Sequence, residues 1–425
     1  MMRIGLDQLA GLRSRGTPRG ITSVCSAHPV VLRAALRHGV ATGATVLIEA
    51  TCNQVNHRGG YTGMVPARFA ELVERIAGEE GCPMEQVILG GDHLGPNPWR
   101  DQPAEIAMTE AERMVEAYVA AGFRKIHLDA SMGCRGEPVA LDDEATARRA
   151  LRLAAVAERV AKARGGDLPR YIIGTEVPPP GGADHALHDV PPTDPVAARE
   201  TIAVHRRLFA SAGLDAAMDR VIGVVVQPGV EFGNHNVIRY ARDRAQALAR
   251  VLDAEPALVF EAHSTDYQGT APLSELVRDG FAILKVGPEL TFVLREALYA
   301  LDLIASDLVA GYGERPLRAA MERVMLDAPG MWEQHYAGSP AVQAVLRHYS
   351  LSDRIRYYWP HEGAVQAVDR LRAALQGQSV PLPLFWQHWP AAARFADAPL
   401  DVDTVLIWRV TQSLASYQAA CNDEQ

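Results

Sequence analysis

A chain of 425 residues with 48% hydrophobic and 22% charged residues has ordinary globular composition and is long enough for one large domain with additions. A net charge of -9 without a basic stripe excludes a nucleic-acid surface, and no window approaches the roughly 18 apolar residues of a membrane span. Five scattered cysteines without a CxxC pair, and a start (MMRIGLDQLAGLRSRG) lacking a signal-peptide core, lead to the expectation of a reduced, cytoplasmic compartment.

Taken in order, eight short apolar runs recur, each followed by a turn and a helical pattern: Ile21 to Ala27, Thr45 to Ala50, Val87 to Gly91, Lys125 to Asp129, Tyr171 to Glu176, Val221 to Gln227, Leu258 to His263 and Phe281 to Val286. Eight β-then-α units are the count of a (β/α)8 TIM barrel, predicted here over residues 1–310. A doubly wound open sheet competes, but it is not expected to end nearly every strand in polar residues. From 311 to 425 the pattern is helical with aromatic and proline insertions, which predicts a helical C-terminal extension packed on the barrel. Its Arg354, Arg356, Tyr357 and Tyr358 could reach the barrel mouth, and Trp386 and Trp389 are expected as exposed aromatics of an interface or a lid.

The stretch VILGGDHLGPN (87–97) places Asp92 and His93 at the C-terminal end of the third strand, where barrel sites are built. Adjacent strand residues point to opposite sides, so the two share a cleft only if the strand ends or twists between them. Gly90, Gly91 and Gly95 allow that turn. The other strand ends supply Ser26 and His28, Glu49, His127 and Asp129, Glu176, Gln227, Glu261 and His263, and Lys285. A core strand seldom carries a carboxylate unless it is paired or coordinating, and at least five strands do so here. Histidines and carboxylates converging in one cleft form a ligand set for a divalent ion, Zn2+ first and Mn2+, Co2+ or Ni2+ as alternatives. The loop Asn53 to Gly63 is either a solvated turn or a substrate loop offering Asn53 and Gln54, and the second is favoured. Glu49, His127, Asp129, Ser264, Thr265 and Lys285 are further candidates to touch substrate. Arg354 and Arg356 are most simply solvated helix charges, with a phosphate contact as the sharper alternative.

The motifs SVCSAHP, IEATCNQVN, GGYTGM, GGDHLGPN, HLDASMGC, GTEVPPPGG, VVVQPGVEFG, FEAHSTDYQ, LKVGPELTF and YSLSDRIRYYWP resemble the class II tagatose-bisphosphate aldolase Z subunits of the GatZ/KbaZ type, along nearly the whole chain. The resemblance implies either C4 epimerisation of tagatose 6-phosphate, as in stand-alone members, or a non-catalytic subunit that stabilises and activates a class II aldolase chain. An older kinase description of the family lacks support, because no GxxxxGK[ST] loop is present. A more distant resemblance to catalytic class II aldolases implies Asp92 as general acid/base, with Glu176 and Glu261 as further catalytic candidates. It implies metal ligands at His93, Glu176, Glu261 and His263, and a ketose-phosphate contact at KVGPEL. One departure stands, since Gln227 followed by Pro228 replaces the strand-6 zinc histidine, and Gln227 could help rebuild the site. The expected enzyme polarises the C2 ketone of a ketohexose phosphate on the metal while Asp92 takes the C4 hydroxyl proton. A homo-oligomer is a further expectation.

Overall fold

The computed structural model describes residues 3–174 and 189–422. Its centre is a closed barrel of eight parallel strands, β1 (Ile21–Cys25), β2 (Val46–Thr51), β3 (Val87–Leu94), β4 (Lys125–Leu128), β5 (Arg170–Ile173), β6 (Val221–Val226), β7 (Val259–Ala262) and β8 (Phe281–Val286). Each strand pairs with its sequence neighbours and β8 closes onto β1. All eight predicted runs carry a strand, and the open doubly wound sheet is ruled out. Helices α1 (Pro29–Thr42), α2 (Pro66–Glu80), α3 (Ala104–Ala120), α4 (Asp143–Arg164), α5 (Pro195–Ser211), α6 (Arg242–Ala249), α7 (Thr270–Arg278) and α8 (Pro288–Leu308) follow the strands in turn. Their ends obey local rules. Asp142 caps α4 by accepting from the Ala145 N–H, acidic residues occupy its first turn, and Lys162 and Arg164 its last.

Strand alternation sorts the barrel interior into layers. The lowest is apolar, with Ile21, Leu47, Ile172, Val259 and Ile283 buried and plugged from below by Leu6, Leu9 and Ala10 of the N-terminal segment. Two residues further along the same strand faces the layer turns charged, with Ser23, Glu49, Glu261 and Lys285 joined by Lys125, all buried. One step higher come Cys25, Asp92, His127 and His263. Gly90 sits in register between Glu49 and Lys125, and a Cβ there would lie 2.7 Å from the Glu49 Cγ. The missing side chain is the space that Glu49 fills. At Gly95 a Cβ would lie 1.5 Å from the Asp129 carbonyl oxygen, so the turn out of β3 closes only on glycine.

Beyond α8, helices Pro316–Asp327, Pro340–Tyr349, Glu362–Leu375, Leu382–His388 and Val402–Asn422 follow, with no strand among the described residues of this region. The last helix packs on α1, α7, α8 and the outer face of β1. There the Cys421 carbonyl accepts from the Gly20 N–H at 2.9 Å and the Tyr417 hydroxyl donates to the Thr265 carbonyl at 2.7 Å. Trp386 is exposed as expected, but Trp389 is buried against Trp408. No described helix is long and apolar enough to cross a membrane.

The two glycine environments predict opposite responses to alanine. Gly78, in the last turn of α2 with open space around it, gains roughly 0.5–1 kcal/mol as Gly78→Ala. Gly95→Ala, driven into backbone, costs about 3 kcal/mol or more. Urea midpoints of the two variants check the signs.

Candidate active site

The charged layer is a closed network. Lys125 Nζ lies 2.6 Å from Glu49 and 2.7 Å from Glu261, while Lys285 Nζ lies 2.5 Å from Glu49 and 2.7 Å from Asp92. Burial alone would lower both lysines, but the surrounding carboxylates outweigh it and hold both as ammonium ions. Lys285 is therefore a fixed cation and not an amine nucleophile. Burial would likewise raise Asp92, yet His93, Lys285 and the hydrogen bond from His127 Nδ1 at 2.9 Å keep its carboxylate ionised, well below the usual range.

His93 reaches the same cleft because its backbone adopts φ 51°, in the left-handed region. That twist is the condition the sequence posed for Asp92 and His93 to face one side. His93 Nδ1 is held by Asp129 Oδ2 at 2.8 Å, and its Nε2 lies 3.7 Å from Asp92. Burial pushes the imidazole down, but Asp92 and Asp129 raise it overall. Asp129, which burial would raise, is drawn down to about 2, chiefly by His93. The same device recurs after β7, where Ser264 at φ 52° follows His263. His263 Nε2 meets Glu261 at 2.9 Å, and burial depresses its imidazole to about 3.

Three imidazoles thus face one another, with His93, His127 and His263 ring centres 4.9 to 5.2 Å apart. Asp92, His127, Glu261 and His263 present ligand atoms within 4.8 Å of one another, a group that could hold a metal ion. With Nδ1 on Asp92, His127 keeps a buried Nε2 that has no hydrogen-bond partner, which is what an imidazole ligand oriented by a carboxylate requires.

A cleft opens above this group. It brings together Asp92, His93, His263, Asn53, Gln54, Ser264, Lys285 and Arg356 from the sequence reading. Several expectations need correction. His127 and Asp129 do not line the cleft, because their side chains are spent orienting Asp92 and His93 from behind. Glu49 lies beneath the floor between the two lysines. Thr265 turns away and donates to the Lys285 carbonyl at 2.7 Å. Gln227 is no ligand, since its Oε1 accepts from the Gly229 and Val230 N–H groups, both at 2.8 Å, and caps a turn. Arg354 donates to the Met331 carbonyl away from the cleft. Glu176 lies outside the described residues. In the Asn53 to Gly63 loop only Asn53, Gln54 and Tyr61 reach the cleft, because His57 and Arg58 pair outward with Glu110.

Sequence reasoning missed Lys125, although its position two residues before His127 put it on the same inward face. It also missed Tyr61 and Asp266. Asp266 Oδ1 accepts from the Gly287 and Glu289 N–H groups at the start of α8, and burial beside Glu289 pushes its carboxyl up to about 7. The network predicts that Lys125→Met, although remote from the cleft, costs about 3–5 kcal/mol by removing the cation that two buried carboxylates share. The double variant Lys125→Met/Glu49→Gln should recover part of that loss in urea denaturation, as expected of coupled partners.

The family profile described as "D-tagatose-1,6-bisphosphate aldolase subunit GatZ/KbaZ-like" matches residues 6–422. The D-tagatose 6-phosphate 4-epimerase of Agrobacterium fabrum is 59% identical over 418 residues, covering 98% of each chain. A crystal structure described as a probable tagatose 6 phosphate kinase from Sinorhizobium meliloti 1021 is 51% identical and superposes with a TM-score of 0.87, over 95% of this chain and 100% of that one. The chain belongs to the GatZ/KbaZ-like family.

Proposed function

We propose that the chain is a D-tagatose 6-phosphate 4-epimerase that interconverts tagatose 6-phosphate and fructose 6-phosphate by retro-aldol and aldol steps. The observation that carries this reading is Asp92, an ionised carboxylate facing the cleft and braced by Lys285, His127 and His93. The reaction needs such a base, because inverting C4 without oxidation requires breaking and remaking a bond to that carbon. The 59% identity to an enzyme of that name supports the same chemistry here.

Asp92 takes the proton of the C4 hydroxyl. The C4–O electrons form the aldehyde as the C3–C4 bond breaks, and the bonding pair stays on C3 as an enediolate conjugated to the C2 oxygen. Lys285 and His93 set a positive field at the floor where this charge develops, fixed before substrate arrives. The aldehyde turns about its bond to C5 and presents its other face, C3 adds back, and Asp92 returns the proton to the new C4 oxygen. No atom is gained or lost.

The donor set fits a divalent cation. Two buried ammonium groups and the raised His93 imidazole face four buried carboxylates (Glu49, Asp92, Asp129 and Glu261), so the layer is left with a net negative charge. His127, Glu261 and His263 would hold the ion, with Zn2+ favoured by imidazole and carboxylate donors, and Asp92 would stay free for the proton transfer. What a bound ion supplies is Lewis-acid polarisation of the substrate carbonyl. Glu261 then belongs to the ligand group rather than to proton transfer.

The test uses the purified chain alone, with sugar phosphates followed by NMR. Interconversion should be lost after chelation and restored by Zn2+, and Asp92→Asn should lower the rate at least ~100-fold. Turnover that emerges only when a class II aldolase chain is added would overturn the reading in favour of a non-catalytic subunit.

A further inference from the structure

Resting on the epimerase reading, we infer that the substrate's phosphate is held by Arg356 of the C-terminal extension, and not at the start of α8. A phosphate dianion needs donors that are not already committed. The basic side chains lining the cleft are His93, Lys285, Arg356 and His263, the last a neutral imidazole. Asp129 holds His93, Glu261 holds His263, and Glu49 with Asp92 holds Lys285. Arg356 alone has no carboxylate within ion-pair distance among the described residues.

Its guanidinium is aimed rather than loose. Nη1 donates to the Ser352 and Asp353 carbonyls, Nη2 donates to the Tyr357 hydroxyl at 2.8 Å, and Nε donates to nothing among the described residues. The carbon of the group lies 4.4 Å from the centre of the Tyr357 ring, which packs edge-on against Tyr61 at 4.8 Å. Behind it, Asp353 sits at φ 46° and is clamped from α8 by Arg295 at 3.0 Å and by Thr291 at 2.8 Å, all three buried. The strained residue is thereby fixed, and with it the turn Arg354–Tyr358 that carries Arg356.

The alternative positions are occupied from within. The N–H groups that open α8 already donate to Asp266 Oδ1, and Glu289 adds a second carboxyl there. The start of α1 is capped by His28, whose Nδ1 accepts from the Val30 N–H. A phosphate at α8 would have to displace a buried carboxyl, whereas at Arg356 it would meet a cation with an open edge.

The position has a consequence for the reaction. In a 6-phosphate the phosphate belongs to the C4–C6 fragment, the half that must turn after the bond breaks. Held at Arg356, that fragment can rotate without leaving, and so epimerisation prevails over cleavage. Two experiments test this. A crystal of the wild-type protein soaked in tungstate should show the anion against Arg356, and an anion at Gly287 and Glu289 instead, or none at Arg356, overturns the assignment. Arg356→Gln should raise KM for tagatose 6-phosphate on the order of 10- to 100-fold, as expected for losing charged hydrogen bonds. In that variant, free triose phosphate, detected with a coupled dehydrogenase, should rise relative to epimer formed. A folded variant with unchanged KM and unchanged partition overturns the proposal. Tungstate at Arg356 in a wild-type chain that does not interconvert the sugars would retain the anion site and reject the epimerase reading, so the two failures are distinguishable.

Discussion

The structure depends on closing two ammonium groups and several carboxylates inside a barrel that admits no bulk water at that depth. Ions so placed persist only if each is paired with good geometry, because desolvation costs several kcal/mol per ion. The pairing sets requirements on residues far apart in the chain. Glu49 must lie between Lys125 and Lys285, so the register of β2, β3 and β4 is fixed and Gly90 must lack a side chain. Glu261 must meet Lys125 across the barrel, which ties β7 to β4. The apolar layer below could be met by many sequences. The charged layer is met by few, and it is the floor on which Asp92 stands.

The same layer explains which parts of the molecule were legible in sequence. Strand runs, turns and helix caps are local, and the eight runs map onto the eight strands within a few residues. The convergence of histidine and carboxylate was legible because buried strands seldom carry such groups without partners. The partners themselves were not, since they are settled across the barrel. His127 and Asp129 were read as substrate contacts from their shared face, yet each is spent on its β3 neighbour, Asp92 or His93. Gln227 looked like a rebuilt ligand because it stands where a histidine is expected, but two backbone N–H groups one turn ahead claim its oxygen first. Lys125 was hidden by its type, as lysine at a strand start ordinarily reads as solvent-facing.

Backbone strain marks the functional end of the barrel. Among the described non-glycine residues with positive φ, His93 and Ser264 each follow the last inward residue of a strand and turn a second consecutive side chain into the cleft. A regular strand could offer only every other residue there. The left-handed conformation disfavoured for such residues is therefore what doubles the number of groups at one strand end, and the closed ion network beneath supplies the rigidity to hold it.

The C-terminal extension completes the site by the same logic applied from outside. Its last helix lies across α1, α7, α8 and β1, where the first and last barrel units meet, and its Tyr417 bonds the backbone beside Thr265. A second buried pair, Arg295 with Asp353, joins α8 to the turn that presents Arg356 and Tyr357. Arg356 could not have been placed from the barrel motifs, because it lies about seventy positions after β8 and its position depends on a tertiary contact. A reaction whose two fragments must stay bound while one rotates needs walls on the side the strands leave open. In this chain the Asn53 to Gly63 loop and the extension form those walls, meeting edge-on at Tyr61 and Tyr357 in the cleft that Asp92 lines.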